Sequence, residues 1–509
     1  MTFHWFDIVA FVGFIGLVIG VSLYASRKED SEEDYFLAGR RLTWWLIGFS
    51  LIASNISTEH FVGMAGRGYE LGLAIASYEW MAAVTLVVVA IFFVPRFLRA
   101  GIYTMPEYLE RRYDPRARAI MAIFMMLAYV FVALASVLYA GAVALESMFG
   151  MDRVLGIWLI GILAGGYTVY GGLKAVVWSD LLQGIALLLG GLLIMVLGFQ
   201  ALGGWEPFVE SAGGKLSTVL PWNHPEMPWL AVFVGGLWIP NLFYWGLNQF
   251  ITQRTLGAKS LGEAQRGIIL AASIKLVIPF IIVFPGIMAA ELYGPLITEP
   301  DQAYPVMIRE ILPVGLTGLM FAALFGAVMS SLDSMLNSAA TIFTIDLYKR
   351  HLTKSAPSSR HLVKVGRITT GALVIVGCLW APAVAKAGSI FQYIQMFWGF
   401  ISPGIVAVFI FGFISDRTPP IAANGAMILG IPVYGLLLWF LPDVAFLHHQ
   451  MITFIVLAVF ILVMTYLRPM EEPRVIPVQA DYDLEASRSV KIGGALVVAA
   501  TAVLYIIFW

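Results

Sequence analysis

The sequence predicts an all-α integral membrane protein of about 14 transmembrane helices. Three observations predict it: the composition, the recurrence of long apolar runs, and the side on which the basic residues fall. Of 509 residues, 60% are apolar and 12% charged, with a mean hydropathy of +0.85. Charged residues make up ~25% of an ordinary soluble domain, and a globule of this length has too little interior to hide so much apolar surface. The solvent for most of the chain is therefore lipid. The net charge of −1 supplies no basic field for nucleic acid. The single cysteine, Cys378, has no partner for an internal disulfide.

A helix needs ~20 mostly apolar residues to cross the hydrocarbon core. Such stretches occur at 4–25, 43–71, 73–98, 119–147, 154–172, 176–200, 231–256, 266–292, 314–345, 366–386, 389–414, 420–441, 447–467 and 491–508. The first ends in Arg27-Lys28-Glu29-Asp30 rather than a small-residue cleavage site, so it reads as a retained span and not a signal peptide. None of the longest connections (95–118, 201–230, 346–365 and 468–490) can house a separate domain. Residues 1–509 read as one transmembrane domain.

Basic residues test this map, because inner loops collect Lys and Arg. With the N-terminus outside, 25 of the 31 fall on inner ends, Arg27, Lys28, Arg254 and Lys354 among them. Five fall outside (Arg67, Arg153, Lys215, Arg309 and Lys386), and Lys275 lies within a span. The bias on alternating sides predicts an even number of spans and both termini outside.

Two spans are interrupted. Span 2 carries Ser54-Asn55-Ile56-Ser57, followed by Glu59 and His60; span 7 carries Pro240-Asn241, followed by Tyr244, Trp245 and Asn248. A broken helix frees backbone carbonyls and N–H groups, which in lipid must find a cation, a ligand or protein. Kinks are also common in membrane helices, but paired breaks five spans apart predict an inverted-repeat transporter with its site near the midplane. Ionisable groups within spans are costly and are functional candidates. They are Glu59, His60, Glu79, Asp180, Lys275 and Asp333. Asp180 lies near the inner surface, where solvation is the plainer reading. Lys275 needs a carboxylate or hydroxyl: a structural pair with Glu79 is one reading, a substrate contact the other. In span 9, Ser330, Asp333, Ser334 and Asn337 share a helix face. Their oxygens suit a hard cation such as sodium, although serines also serve helix packing. No zinc-protease, nucleophile-elbow or phosphate-loop motif is present, so an enzyme is not expected.

Several strings carry a family likeness. Asp34-Tyr35-Phe36-Leu37-Ala38-Gly39-Arg40, the segment from Ser50 to Ser57, and Ala76-Ser77-Tyr78-Glu79-Trp80 resemble the solute:sodium symporter family. So does the run from Tyr170 to Asp180. Asn241 to Gln249 and Phe391-Gln392-Tyr393-Ile394-Gln395 are similar to its sodium/glucose and bacterial sodium/galactose branch. The likeness runs over essentially the whole chain. It implies a LeuT-like 5+5 inverted-repeat core, with the first repeat at 43–200 and the second at 231–414, preceded by 4–25 and followed by three helices in 420–509. It further implies a multi-pass protein of the plasma (bacterial inner) membrane, with sodium as coupling ion and a sugar as cargo. A symporter for another polyol such as myo-inositol, or a sugar-responsive sensor or channel, stands as the alternative.

Carried over residue by residue, the likeness places sodium on the carbonyls of Ala53, Ile56 and Ala327 and the hydroxyls of Ser330 and Ser331. Sugar contacts fall on Asn55, His60, Glu79, Asn241, Lys275 and Gln395. Met64, Tyr78 and Phe391 form an outer gate, and Tyr244 with Trp245 an inner one. A second cation is expected near Asp333, held with Ser334 and Asp180. Two positions depart from the pattern: His60 stands where the bacterial galactose carrier has Gln, and Asp333 where a small or hydroxyl residue is expected.

Overall fold

A computed structural model describes residues 4–25, 32–57, 59–353, 357–387, 390–477 and 487–509. Arg27, Lys28, Lys354 and position 389 lie outside the described residues, as do the side chains of Asp34, Tyr170, Lys386 and Gln392. The chain is all-helical; among the described residues the one extended pairing is an isolated parallel bridge between Leu42 and Ala258. Among the described residues, eleven helical runs are long and apolar enough to cross a membrane, and two shorter apolar helices, Arg153–Gly166 and Ser402–Ile414, accompany them.

The run Glu59–Ala100 has 42 residues. At ~1.5 Å per residue it would be ~63 Å long if straight, about twice a ~30 Å hydrocarbon core. It turns back at Gly72, whose φ of +80° favours glycine; a Cβ there would lie 2.2 Å from the Lys215 carbonyl oxygen.

The helical run Arg153–Leu202 covers two predicted spans, 154–172 and 176–200, without an intervening loop. It nevertheless doubles back. Ile160 and Val328 both crowd Gly141, and Thr168 bonds Asp333; then Asp180 meets Ser330, Gln183 meets Gly326 and Gly190 meets Met320. Partners along Leu316–Thr341 thus rise and then fall. A straight helix would put residues 160 and 190 ~45 Å apart, whereas their partners 328 and 320 are ~12 Å apart.

The break in span 2 lies where the sequence puts it. The helix Trp44–Asn55 ends at Ile56, with φ −74° and ψ 86°, and a helical turn resumes at Glu59. The seventh span is interrupted twice: the helix Trp229–Phe233 ends before a turn at 234–237, just ahead of Pro240, and a second break follows. Pro240 and Asn241 sit inside the helix Trp238–Leu242, and the chain becomes extended at Asn248, with φ −79° and ψ 124°, before Gln249–Leu256. Proline is tolerated there because the first-turn N–H groups of a helix have no intrahelical partner.

Polar clusters mark the two ends of the bundle. At one end Arg118 pairs with Asp346 and Glu110, both at 2.7 Å, and Arg350 pairs with Glu110 at 2.8 Å. Burial pushes the Glu110 carboxyl up, but hydrogen bonds from Arg118 and Arg350 outweigh it and hold the group below its ordinary value. At the other end Arg67 pairs with Glu70 and Glu226. There too the Asp7 carboxylate accepts from the Gly315 and Gly318 N–H groups, and the Phe508 carbonyl accepts from Thr218. Asp7 and Phe508 therefore lie on the same side of the bundle.

Candidate functional site

The two broken helices meet around a buried cavity. Asn55, Glu59, His60, Met64, Tyr78 and Glu79 line it from the first half of the chain, and Asn241, Tyr244, Trp245, Phe391, Gln395 and Trp398 from the second. Its wall is mostly apolar, part aromatic and part aliphatic, and four of its polar groups, Asn55, His60, Glu79 and Tyr244, form one network with Lys275. The Lys275 ammonium donates to Asn55 Oδ1 and to Glu79 Oε2. Asn55 Nδ2 donates to the Tyr244 hydroxyl at 3.0 Å, and His60 Nε2 lies 3.3 Å from Glu79 Oε1. His60 Nδ1 and Asn241 Nδ2 are buried and have no partner among the described residues. Buried polar groups are nearly always satisfied, so these two are open positions for a polar ligand.

Five of the six expected sugar contacts line this cavity, and the sixth does not. Lys275 is wholly buried behind Asn55 and Glu79, with its ammonium 4.9 Å from the Trp245 ring centroid. It pairs with Glu79, which is the structural reading of Lys275, and it holds two side chains that reach the cavity. The residues expected as gates also sit at the cavity. Tyr78 and Phe391 are edge-to-face with centroids 5.0 Å apart, and beyond them a small recess is lined by Arg67, Glu226 and Met227. On the opposite side Tyr244 packs edge-on against Trp245 and Phe250, with centroids at 5.1 and 5.4 Å.

The residues expected at sodium are all fully buried: Ala53, Ile56, Ala327, Ser330 and Ser331. The two segments that carry them meet where the Ser331 hydroxyl donates to the Ser54 carbonyl at 3.4 Å. This is the end of Trp44–Asn55, where helical carbonyls lose their continuing partners.

Asp180, Ser334 and Asp333 are not brought together as one cluster. Asp180 is fully buried rather than solvated, and Arg254, placed by sequence in an inner loop, is equally buried against it at 2.9 Å. The Arg254 guanidinium also donates to Ser334 at 2.6 Å. Asp333 faces away, accepting from Thr168, and its second oxygen has no partner among the described residues. Asp333 is three positions after Ser330 and Ser334 is four; the closer alignment at four keeps Ser334 on the Asp180 side while Asp333 rotates toward residue 168. Sequence reading missed Arg254 because a basic residue at a span end ordinarily reaches to water. The one signal was its apolar and amide surroundings, from Gln249 to Leu256.

A helical membrane bundle with a buried polar cavity between two interrupted helices is the architecture of a secondary transporter. A profile of the sodium:solute symporter family matches residues 35–431. The sodium/glucose cotransporter of Vibrio parahaemolyticus is 41% identical over 536 residues, covering 99% of this chain and 98% of that one. The uncharacterized symporter YidK of Escherichia coli K12 is 37% identical, over 96% of this chain and 88% of its own. The sodium/myo-inositol cotransporter 2 of Sus scrofa is 37% identical, over 84% and 68%. Among solved structures, a substrate-bound, outward-open Na+-coupled sialic acid symporter aligns with a TM-score of 0.83 at 24% identity, over 93% of this chain and 100% of that one. Closed Mhp1, a nucleobase-cation-symport-1 family transporter, aligns at 0.58 and 15%, over 92% and 99%. These two likenesses show the fold. The chain belongs to the sodium:solute symporter family. It is a multi-pass, sodium-coupled solute symporter.

Proposed function

We propose that this symporter imports a glucose- or galactose-type hexose with sodium, by alternating access, in the plasma membrane. The observation that carries the reading is the cavity itself: polar side chains of mixed donor and acceptor character, among them Asn55, His60, Glu79, Asn241 and Gln395, with unused positions on His60 and Asn241, set in an apolar wall that is part aromatic. A hexose offers hydroxyls that both donate and accept, and C–H faces that stack on rings such as Tyr244 and Trp245. A carboxylate cargo would call for an unpaired Arg or a helix N-terminus, and the buried cation beside the cavity, Lys275, is already paired.

The finer architecture supports the same reading. Eleven long runs and two shorter ones, with Glu59–Ala100 crossing twice, give 14 crossings. Spans 2–6 and 7–11 then form two five-helix repeats that each open on a broken helix. The Arg-rich polar cluster faces the cytoplasm and the chain ends face outside, in line with the basic-residue bias. Tyr78 and Phe391 close the cavity outward and Tyr244 closes it inward. Sodium at Ala53, Ile56, Ala327, Ser330 and Ser331 ties span 2 to span 9, so its binding favours the arrangement in which the Asn55 end of span 2 is ordered for sugar.

Myo-inositol is the second reading, favoured by the myo-inositol cotransporters among the relatives. A competition panel against labelled glucose separates them. Glucose or galactose should inhibit at lower concentration than myo-inositol. His60→Ala should raise the half-saturation for sugar by ~5–100-fold, the equivalent of ~1–3 kcal/mol for an unpaired partner, and leave sugar-free sodium binding unchanged. Failure of all three polyols to compete would remove the sugar reading.

A further inference from the structure

We propose that Glu59 is a specificity-determining residue that holds the ammonium of a cationic aminohexose, so that the cavity takes an amino sugar in preference to the neutral hexose. The inference rests on the sugar reading of the same cavity and narrows it. Glu59 lines the cavity and is partly buried. It stands in the first turn after the break in span 2, where an acid can serve simply to complement a helix N-terminus. Ser57 already fills that role: its hydroxyl accepts from the Glu59 N–H at 3.1 Å and its carbonyl from the His60 N–H at 3.0 Å. The Glu59 carboxylate itself makes no hydrogen bond or ion pair among the described residues. The basic groups around the cavity are committed elsewhere, Lys275 to Glu79, Arg254 to Asp180, and Arg67 to Glu70 and Glu226. Lys275 and Glu79 cancel, so Glu59 leaves the cavity wall with a carboxylate that the protein does not balance.

A charge set in an apolar wall without a countercharge is costly, and a cargo that brings an ammonium supplies the countercharge. The hydroxyls of the same cargo have other partners, since His60 Nδ1 and Asn241 Nδ2 are unused and Gln395 reaches the cavity. The way in from outside has the same sign. Beyond Tyr78 and Phe391 the recess holds Glu226, which shares Arg67 with Glu70. Asp301 packs over Gly66, where a Cβ would lie 3.0 Å from the Asp301 backbone nitrogen. Burial, and then the Glu299 and Glu70 carboxylates, push the Asp301 carboxyl up to about 6. An acidic mouth concentrates cations, sodium and cationic cargo alike. Glu59 is the group placed to tell a cationic sugar from a neutral one.

The test is sodium-driven uptake of labelled D-glucosamine and of labelled D-glucose, measured separately in proteoliposomes of the full chain at a slightly acid pH, where the amine is protonated. Wild type should show a lower half-saturation for glucosamine than for glucose. E59Q should raise the glucosamine-to-glucose ratio of half-saturations at least ~10-fold, the loss of one charge-assisted contact. A higher half-saturation for glucosamine than for glucose in wild type, or a ratio that a folded E59Q does not move, would overturn the proposal. So would an E59Q whose only change is a raised half-saturation for sodium, because the carboxylate would then be the countercharge of the ion. If E59Q does not fold, reversal potentials in wild type decide: glucosamine should carry one more positive charge per sugar than glucose, and equal charge would overturn the proposal. Uptake of glucose without glucosamine ends this proposal and leaves the hexose reading. Uptake of glucosamine without glucose does the reverse, and uptake of neither ends both.

Discussion

Glu79→Gln is expected to abolish solute uptake and to cost ~3–5 kcal/mol of stability, because it leaves the Lys275 ammonium buried without its countercharge. Lys275 is 0% exposed and donates to Glu79 and Asn55. Glutamine keeps one acceptor oxygen where the carboxylate has two, so it cannot accept from Lys275 and also offer His60 the oxygen that Glu79 holds at 3.3 Å, and the ammonium that orients Asn55 toward Tyr244 loses its anchor. Adding Lys275→Met removes the stranded charge, so the double variant should recover most of the stability and none of the transport. Gln395→Ala gives the complementary result. Its side chain reaches the cavity and makes no side-chain hydrogen bond among the described residues, so uptake should fall while the melting temperature in detergent holds. Thermal unfolding and uptake, measured on all three variants, separate the roles. Wild-type sugar affinity in Glu79→Gln would remove the pair from the site.

Ser331→Ala should raise the half-saturation for sodium by ~5–100-fold and alter sugar affinity much less once sodium is saturating. Loss of one oxygen ligand in a buried site is worth ~1–3 kcal/mol, and Ser331 is fully buried at the end of Trp44–Asn55. Linkage requires that whatever sugar does to sodium affinity, sodium does to sugar affinity by the same factor. The two titrations, each run at several fixed concentrations of the other ligand, check both points. A sodium half-saturation that does not move would exclude Ser331 as a ligand.

Much of the fold was legible in the sequence for simple reasons. Lipid admits only helices here, so apolar run length translates into span length, and the cluster Ser54-Asn55-Ile56-Ser57 has no helical continuation in hydrocarbon. The break read at Pro240 is present as a helix restart at Trp238, with the proline in its first turn, but a further break at Asn248 was not read. The cavity residues were legible through motif likeness and through the expense of charge in lipid, which singled out Glu79 and Lys275 together. What stayed hidden was the pairing across helices. Periodicity gives the face on which Ser330, Asp333 and Ser334 lie, and not the neighbour that each one meets. Asp333 turned to Thr168, while Asp180 was met by Arg254, a side chain whose position near a span end gave no sign of burial.

Accumulation of labelled glucose and galactose in proteoliposomes is the most direct measurement of coupled import. One charge moving inward through 100 mV is worth ~2.3 kcal/mol, or ~fiftyfold in accumulation. With an inward sodium gradient and a negative interior, internal hexose should rise well above the external concentration, and collapse when sodium is replaced by potassium or protons. Hexose that only equilibrates across the membrane, or that accumulates equally without sodium, would contradict sodium-driven sugar import.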